Sequence, residues 1–260
     1  MSTGSVRVES RGALALLTID APPLNQIGAH VIAGLRAALD EVERAEGVRA
    51  LVLRGAGDVF SAGADVSLFD GLGPDQAEEL IRGFLELGDR IERLPFPTLA
   101  AAHGQCIAGG LELALFCDLL WCAEGTLIGL PEARLGIMPL AGGVQRLAAR
   151  AGVGRARAMA FSGGIYPAER VEPWGVVDRV IVTGELEAEF ESFGTQLAAG
   201  PTKSFAAIKR VLLAERRGSV GMADEALVTE IGSIFASVDA KAGIEAYLRG
   251  DLAGVSFVGA

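Results

Sequence analysis

Thr98-Leu99-Ala100-Ala101-Ala102-His103-Gly104-Gln105-Cys106-Ile107-Ala108-Gly109-Gly110-Leu111-Glu112-Leu113-Ala114-Leu115-Phe116 is the stretch on which the fold turns. Its first five residues are apolar or small and follow Pro95 and Pro97, which stop any helix before them, so they read as a buried strand. Gly104 interrupts the strand, and Gly109-Gly110 opens an apolar helix that runs from Leu111 towards Phe116. Free N–H groups at the start of such a helix stand at the positive end of its dipole. Glu112 lies in the first turn, with Leu115, Phe116 and Leu119 on its face. A carboxyl group among those neighbours is costly unless it is paired, protonated or used. A pKa raised by burial would suit proton transfer. A helix N-terminus also favours a glutamate on electrostatic grounds alone, so residue types leave the role of Glu112 open.

Working outward, strands alternate with helices. Val6–Glu9 and Ala13–Ile19 read as two strands around a turn at Arg11-Gly12, ended by Pro22-Pro23. Residues His30 to Ala45 carry Val31, Leu35, Leu39 and Val42 as one apolar stripe, the pattern of an amphipathic helix that begins near His30. Ala50–Leu53 is a short apolar strand before a glycine-rich stretch, Gly55 to Gly63, and Pro74–Leu94 predicts a second helix. This alternation predicts an α/β fold with crossover connections. Beyond Gly200-Pro201 the strands cease, and Thr202–Arg217, Ala223–Phe235 and Ala240–Leu248 read as helices. The chain therefore divides into a core, residues 1–199, and a helical region, residues 200–260, without an internal repeat.

Two further stretches bear chemistry. Phe60-Ser61-Ala62-Gly63-Ala64-Asp65-Val66 is a loop of small residues after a strand. Small residues let backbone approach a ligand, so the Ala64 N–H could face an anion or a polarised carbonyl. The plainer alternative is an ordinary turn with Asp65 as a helix cap. In Gly129-Leu130-Pro131-Glu132-Ala133-Arg134-Leu135-Gly136-Ile137-Met138-Pro139, followed by Ala141-Gly142-Gly143-Val144-Gln145-Arg146-Leu147, Pro131 stiffens the loop that carries Glu132. That glutamate either is aimed at a site or pairs with Arg134 on the surface. Two glutamates that met would suit a single water, one as base and the other as acid.

Composition narrows the function. A net charge of −10 with no basic stripe argues against nucleic acid as a partner. No apolar run reaches membrane-spanning length, and the amino-terminal MSTGSVRVESRGALALLTID lacks the pattern of a secretory leader, so a cytoplasmic, soluble protein is expected. Cys106, Cys117 and Cys122 sit in apolar surroundings and read as core packing. Gly55-Ala56-Gly57-Asp58-Val59-Phe60 begins like a dinucleotide fingerprint but lacks its third glycine, and no Walker loop, nucleophile elbow or H-E-x-x-H motif is present. His30 and His103 are the only histidines and are expected to be structural, so no metal site is expected.

The three chemistry-bearing stretches, in this order, resemble the crotonase (enoyl-CoA hydratase/isomerase) family. The resemblance extends from Ala21-Pro22-Pro23-Leu24-Asn25, through Phe161-Ser162-Gly163 and Ala168-Glu169-Arg170…Trp174-Gly175-Val176-Val177-Asp178, to Ser237…Asp239…Lys241-Ala242-Gly243. It implies a spiral of ββα units with a C-terminal helical region that builds homotrimers, often paired into hexamers. It also implies an acyl-CoA thioester as substrate, with the N–H groups of Ala64 and Gly109 as its oxyanion hole. Glu112 and Glu132 match the two catalytic glutamates of the family's hydratases. Ala62, Ala64, Asp65, Val66, Ser67, Gly109, Pro131 and Pro139 would contact the substrate. No metal or redox cofactor is implied, coenzyme A being part of the substrate. Enoyl-CoA hydration is the expected reaction. A Δ3,Δ2-enoyl-CoA isomerase or another lyase on the same scaffold is the alternative, and a non-catalytic acyl-CoA binder is a third. The chain departs from the family at Ala21 and Ser67, where many relatives carry basic residues. Lys203, Lys209 and Lys241 are candidate substitutes for contacts to the coenzyme A phosphates, or else solvated surface lysines. Phe257 is a candidate cover for the adenine of a neighbouring subunit.

Overall fold

A computed structural model describes residues 5–260; residues 1–4, the start of the stretch read as lacking a leader, lie outside the described residues. The chain opens with β1 (Ser5–Arg11) and β2 (Leu14–Asp20), then α1 (Ala29–Arg44) and β3 (Ala50–Gly55). A 3₁₀ turn (Val66–Phe69) precedes α2 (Pro74–Arg93), and β4 (Thr98–Ala102), β5 (Gln105–Ile107) and α3 (Gly109–Ala114) follow. Next come β6 (Leu119–Ala123), β7 (Leu127–Gly129), a 3₁₀ turn (Glu132–Leu135) and α4 (Gly143–Ser162), which is broken at Gly152. The core closes with β8 (Ile165–Pro167), α5 (Ala168–Val171), β9 (Arg179–Ile181) and α6 (Leu186–Ala198). Helices α7 (Thr202–Arg217), α8 (Val220–Ala236) and α9 (Val238–Arg249) form the C-terminal region.

The strands form a six-stranded sheet, β1-β2-β3-β4-β6-β9, parallel except for β1, and a three-stranded sheet, β5-β7-β8. The chain steps from the large sheet to the small one and into a helix, first as β4-β5-α3 and then as β6-β7 leading to α4. This is the ββα spiral. Parallel strands buried on both faces are apolar throughout, and the period of two sorts their side chains. Leu14, Leu16, Val52, Leu99, Ala101 and Trp121 face Leu186 and Phe190 of α6. Leu17, Ile19, Leu53, Ala100, Ala102 and Leu120 face the larger core under α1, α2 and α3. The three cysteines are buried and unbridged.

Asn25 is buried and clips two loops of this core together. Its Oδ1 accepts from the Ala21 N–H at 2.8 Å, and its Nδ2 donates to the carbonyls of Ala56 and Val59 at 2.8 and 2.7 Å. Ser61 Oγ donates to the Asn25 carbonyl at 2.7 Å, so the small-residue loop is held at its base. His103 is structural, its Nε2 hydrogen-bonded to the Gly57 carbonyl, and His30 lies in the first turn of α1. Lys209 corrects an expectation: it is nine-tenths buried, donates to the Phe96 carbonyl at 2.9 Å and pairs with Asp118 at 2.7 Å, so it is neither surface-solvated nor free for a phosphate. Lys203 and Lys241 are exposed. The Phe257 ring packs at Gly243 of its own chain. Among the described residues no helix is long and apolar enough to cross a membrane.

Candidate active site

The Ser61–Asp65 loop is laced to its neighbours by backbone bonds. Ile27 donates to the Gly63 carbonyl at 2.9 Å, Asp65 to Ile27 at 3.2 Å, Ser61 to Gln105 at 2.9 Å and Ile107 to Ser61 at 3.2 Å. This pairing leaves the Ala64 N–H without an acceptor among the described residues. Gly63 adopts φ +102°, and a Cβ there would lie 2.7 Å from Ala108 Cβ, so only glycine lets this loop touch the start of α3. Ala108 itself holds φ +51°, ψ −133°, a conformation that L-residues rarely adopt and that clusters at functional sites. It is pinned by its N–H to the Gly129 carbonyl at 2.9 Å and by its carbonyl to the Glu112 N–H at 3.0 Å. The next N–H, of Gly109, again has no acceptor among the described residues. A Cβ on Gly109 would stand 3.2 Å from Ala64 N, so the two free donors are neighbours.

Both donors open on one cavity of ≈ 90 Å³. Its walls are Ile27 and Ile32, Val66, Leu68 and Phe69, Leu80, Ile81 and Phe84 of α2, and Leu135, Ile137, Met138 and Leu140. Among the described residues the only polar side chains on the wall are Glu112 and Glu132.

The two carboxyl groups are held differently. Glu112 is buried, and its Oε1 accepts from the N–H groups of Ala141 at 2.9 Å and Gly143 at 2.8 Å. Burial raises its pKa, opposed by these backbone donors and by the charge of Arg146. Gly143 leaves room for the contact: a Cβ there would sit 2.6 Å from Glu112 Cγ. Glu132 is also buried, but neither of its oxygens has a hydrogen-bond partner among the described residues. The pairing with Arg134 therefore does not form. A buried carboxylate without donors is unfavourable, and its pKa is pushed up to about 7, first by burial and then by the nearby charge of Glu112. At neutral pH, then, one acid is gripped by donors that favour its anion and the other retains its proton about half the time.

Of the residues expected in a site, Ala64, Val66, Gly109, Glu112 and Glu132 share this cavity, while Ala62, Asp65, Ser67, Pro131 and Pro139 are off its wall. The reasons are local. The Ala62 N–H donates to Leu24 at 2.9 Å, and the Pro131 carbonyl accepts from Arg134 at 2.9 Å. Asp65 Oδ1 turns back to the Ser67 N–H at 3.0 Å, capping the first 3₁₀ turn. Pro139 lies between Met138 and Leu140, which are on the wall, without lining it itself.

A family model described as enoyl-CoA hydratase/isomerase matches residues 9–250. The chain belongs to this family of enzymes. It is 33% identical over 241 residues to a probable enoyl-CoA hydratase of Bacillus subtilis, covering 91% of this chain and 92% of that protein. It is 30% identical to a probable enoyl-CoA hydratase of Rhizobium meliloti over 95% of this chain and 96% of that protein. Among solved structures, DspI of Pseudomonas aeruginosa superposes with TM-score 0.89 at 29% identity over 96% of each chain. An enoyl-CoA hydratase of Thermoplasma volcanium superposes with TM-score 0.87 at 28% identity, over 93% of this chain and 96% of that one.

Within this crotonase-type frame, several residues of the site escaped sequence reasoning. The donors to Glu112 come from Ala141 and Gly143, about thirty residues further along the chain; the doubled glycine Gly142-Gly143 was the visible signal. From sequence, Ser67–Pro74, the helix after it and Ile137–Leu140 read as pocket walls, and α2 does supply Leu80, Ile81 and Phe84. Which residues of the helix face the cavity carried no signal beyond an apolar stripe, because a helix face looks the same whether it covers a core or a cavity.

Proposed function

We propose that the chain is an enoyl-CoA hydratase that adds water across the 2,3 double bond of an enoyl-CoA thioester to give the 3-hydroxyacyl-CoA. The observation that carries this reading is the pair of buried acids on one apolar cavity, one gripped and one unpartnered, beside two unspent N–H groups. In the proposed reaction the thioester oxygen accepts from the N–H groups of Ala64 and Gly109, which stabilise the negative charge as the enolate forms. Glu112, as the anion, takes a proton from water while the water oxygen bonds to C3. Glu132, protonated, gives its proton to C2. Exchange with solvent then returns the proton from Glu112 to Glu132. The step is redox-neutral and closes on water, so this reading needs no resident metal or redox cofactor.

The test is incubation with crotonyl-CoA and longer 2-enoyl thioesters, following loss of the conjugated double bond and formation of the 3-hydroxy product. Glu112→Gln and Glu132→Gln keep shape but cannot exchange protons, and each is expected to lower kcat by about 10²–10⁴-fold. No hydration at any chain length, with migration of the double bond in a 3-enoyl substrate, would replace hydration by isomerisation. Full turnover in both variants would end the two-acid mechanism.

A further inference from the structure

Behind the cavity lies a buried charged cluster that touches the elements holding Glu112. Glu92, at the end of α2, has a side chain only 5% exposed. It takes the fork of Arg146, Nε to Oε1 at 2.8 Å and Nη2 to Oε2 at 3.0 Å. Bidentate pairs of this kind fix a guanidinium in one orientation. The same guanidinium then makes two contacts on its other sides. It lies over the ring of Phe116, 4.0 Å from its centre, and its Nη1 donates to the Gly142 carbonyl at 3.2 Å. Gly142 stands between Ala141 and Gly143, whose N–H groups both end on Glu112 Oε1. Phe116 lies in the turn directly after α3, the helix that bears Glu112. Arg146 thus braces both halves of the contact, the turn that donates and the segment that bears the acceptor.

We infer that Arg146, locked in place by Glu92, is a positioning residue for Glu112, holding the Ala141–Gly143 donors against the carboxylate and keeping a positive charge behind it. Its catalytic consequence rests on the hydratase reading; its effect on the titration of Glu112 does not. The charged groups around Glu112 are few. Glu132 faces it from the second 3₁₀ turn, and Arg146 stands behind it on α4. Helix α2, α1 and the first 3₁₀ turn bring only apolar side chains to the cavity. Arg146 in turn is faced by Glu92 from α2 and, through that acid, by Arg216 of α7 at 2.6 Å and Arg217 at 3.6 Å, with Asp89 paired to Arg217. The charge of Glu112 opposes ionisation of Glu132, and Arg146 favours ionisation of Glu112. Arg216 also keeps Glu92 paired when Arg146 is changed.

Two substitutions separate charge from geometry. Arg146→Met keeps an apolar stem over Phe116 but removes the charge and the fork, whereas Arg146→Lys keeps the charge alone. The Glu112 carboxyl is followed by ¹³C-NMR titration of glutamate-labelled protein, assigned against Glu112→Gln. In Arg146→Met its midpoint is expected to rise by about one unit, and the acidic limb of the kcat–pH profile to move with it. In Arg146→Lys the limb should stay in place while kcat falls about tenfold at nearly unchanged KM, since misplacement acts on the reacting geometry. An unmoved Glu112 midpoint in folded Arg146→Met overturns the inference. If that variant does not fold, Arg146→Lys decides: wild-type kcat across the pH range overturns it too. A wild-type protein that shows no hydration would sink the hydratase reading, yet the NMR titration would still judge Arg146.

Discussion

Glu132 shows at the scale of one residue how a site is made at the expense of stability. Its oxygens are buried without donors among the described residues, and its pKa rises to about 7 against about 4.3 in an unfolded chain. Between those values the folded protein binds the proton more tightly than the unfolded chain does. Stability is therefore greatest below pH 4 to 5 as far as this group is concerned, falls as pH rises through 7, and is level above. Allowing for water that reaches the cavity, the loss is about 2 kcal/mol. Glu132→Gln removes the titration, so chemical denaturation should find it about 1–2 kcal/mol more stable than wild type at pH 8 and nearly equal at pH 5. Equal stabilities at both pH values would mean that the carboxylate is solvated after all. In the proposed reaction the same titration should make activity fall above about pH 7, as the proton donor is lost; the limbs of the profile belong to the pair of acids jointly.

At the scale of elements, the start of α4 is the part that aims the chemistry. Gly143 is a position where a single methyl group would meet the Glu112 side chain directly: the added Cβ would lie 2.6 Å from Glu112 Cγ and 3.0 Å from its Oε1. Gly143→Ala should therefore push the carboxylate aside, lowering kcat by about 10²-fold and stability by about 1–3 kcal/mol, with KM little changed. Steady-state kinetics and thermal unfolding on one preparation check this; unchanged kcat would show that Glu112 need not be fixed. This element also marks the limit of sequence reading. Strands such as Thr98–Ala102 were legible because two-sided burial leaves an unbroken apolar run, and α1 and α2 because a one-sided helix has a 3.6-residue stripe. Glu112 stood out as an acid among apolar neighbours, and Glu132 as an acid on a loop stiffened by Pro131, with pairing to Arg134 as the open alternative. That they share a cavity was not legible, since β6 and β7 lie between them and only the closure of the spiral brings them together. Nor was the capture of Lys209 by Asp118 and the Phe96 carbonyl, a contact between segments about ninety and more residues apart.

For the whole molecule, the unanswered surface is that of the C-terminal helices. Arg49 fastens this region to the core through the Gly200 carbonyl at 2.5 Å, Thr202 Oγ1 at 2.8 Å and the Phe257 carbonyl at 3.2 Å. Both faces of the large sheet are already covered, so the helices are not needed there. Helices α7 and α8 nonetheless present Ile208, Leu212, Leu227, Ile231 and Phe235, each about half or more exposed, around an apolar groove of ≈ 340 Å³. Side chains of this size left in water mark an interface. With the trimers implied by the crotonase resemblance, we propose that this face is covered by further copies of the chain. Light scattering should then give a mass about three or six times that of the 26.9 kDa chain. The double substitution Leu212→Glu with Phe235→Glu places charges in the buried contact, where each is strongly disfavoured, and should yield monomers with a lower and concentration-independent Tm. The cavity lies in the core and draws none of its wall from α7 or α8, so folded monomers should keep the Glu112 and Glu132 titrations even if turnover falls. A wild-type chain that remains monomeric at tens of micromolar would leave those side chains exposed and refute the assembly.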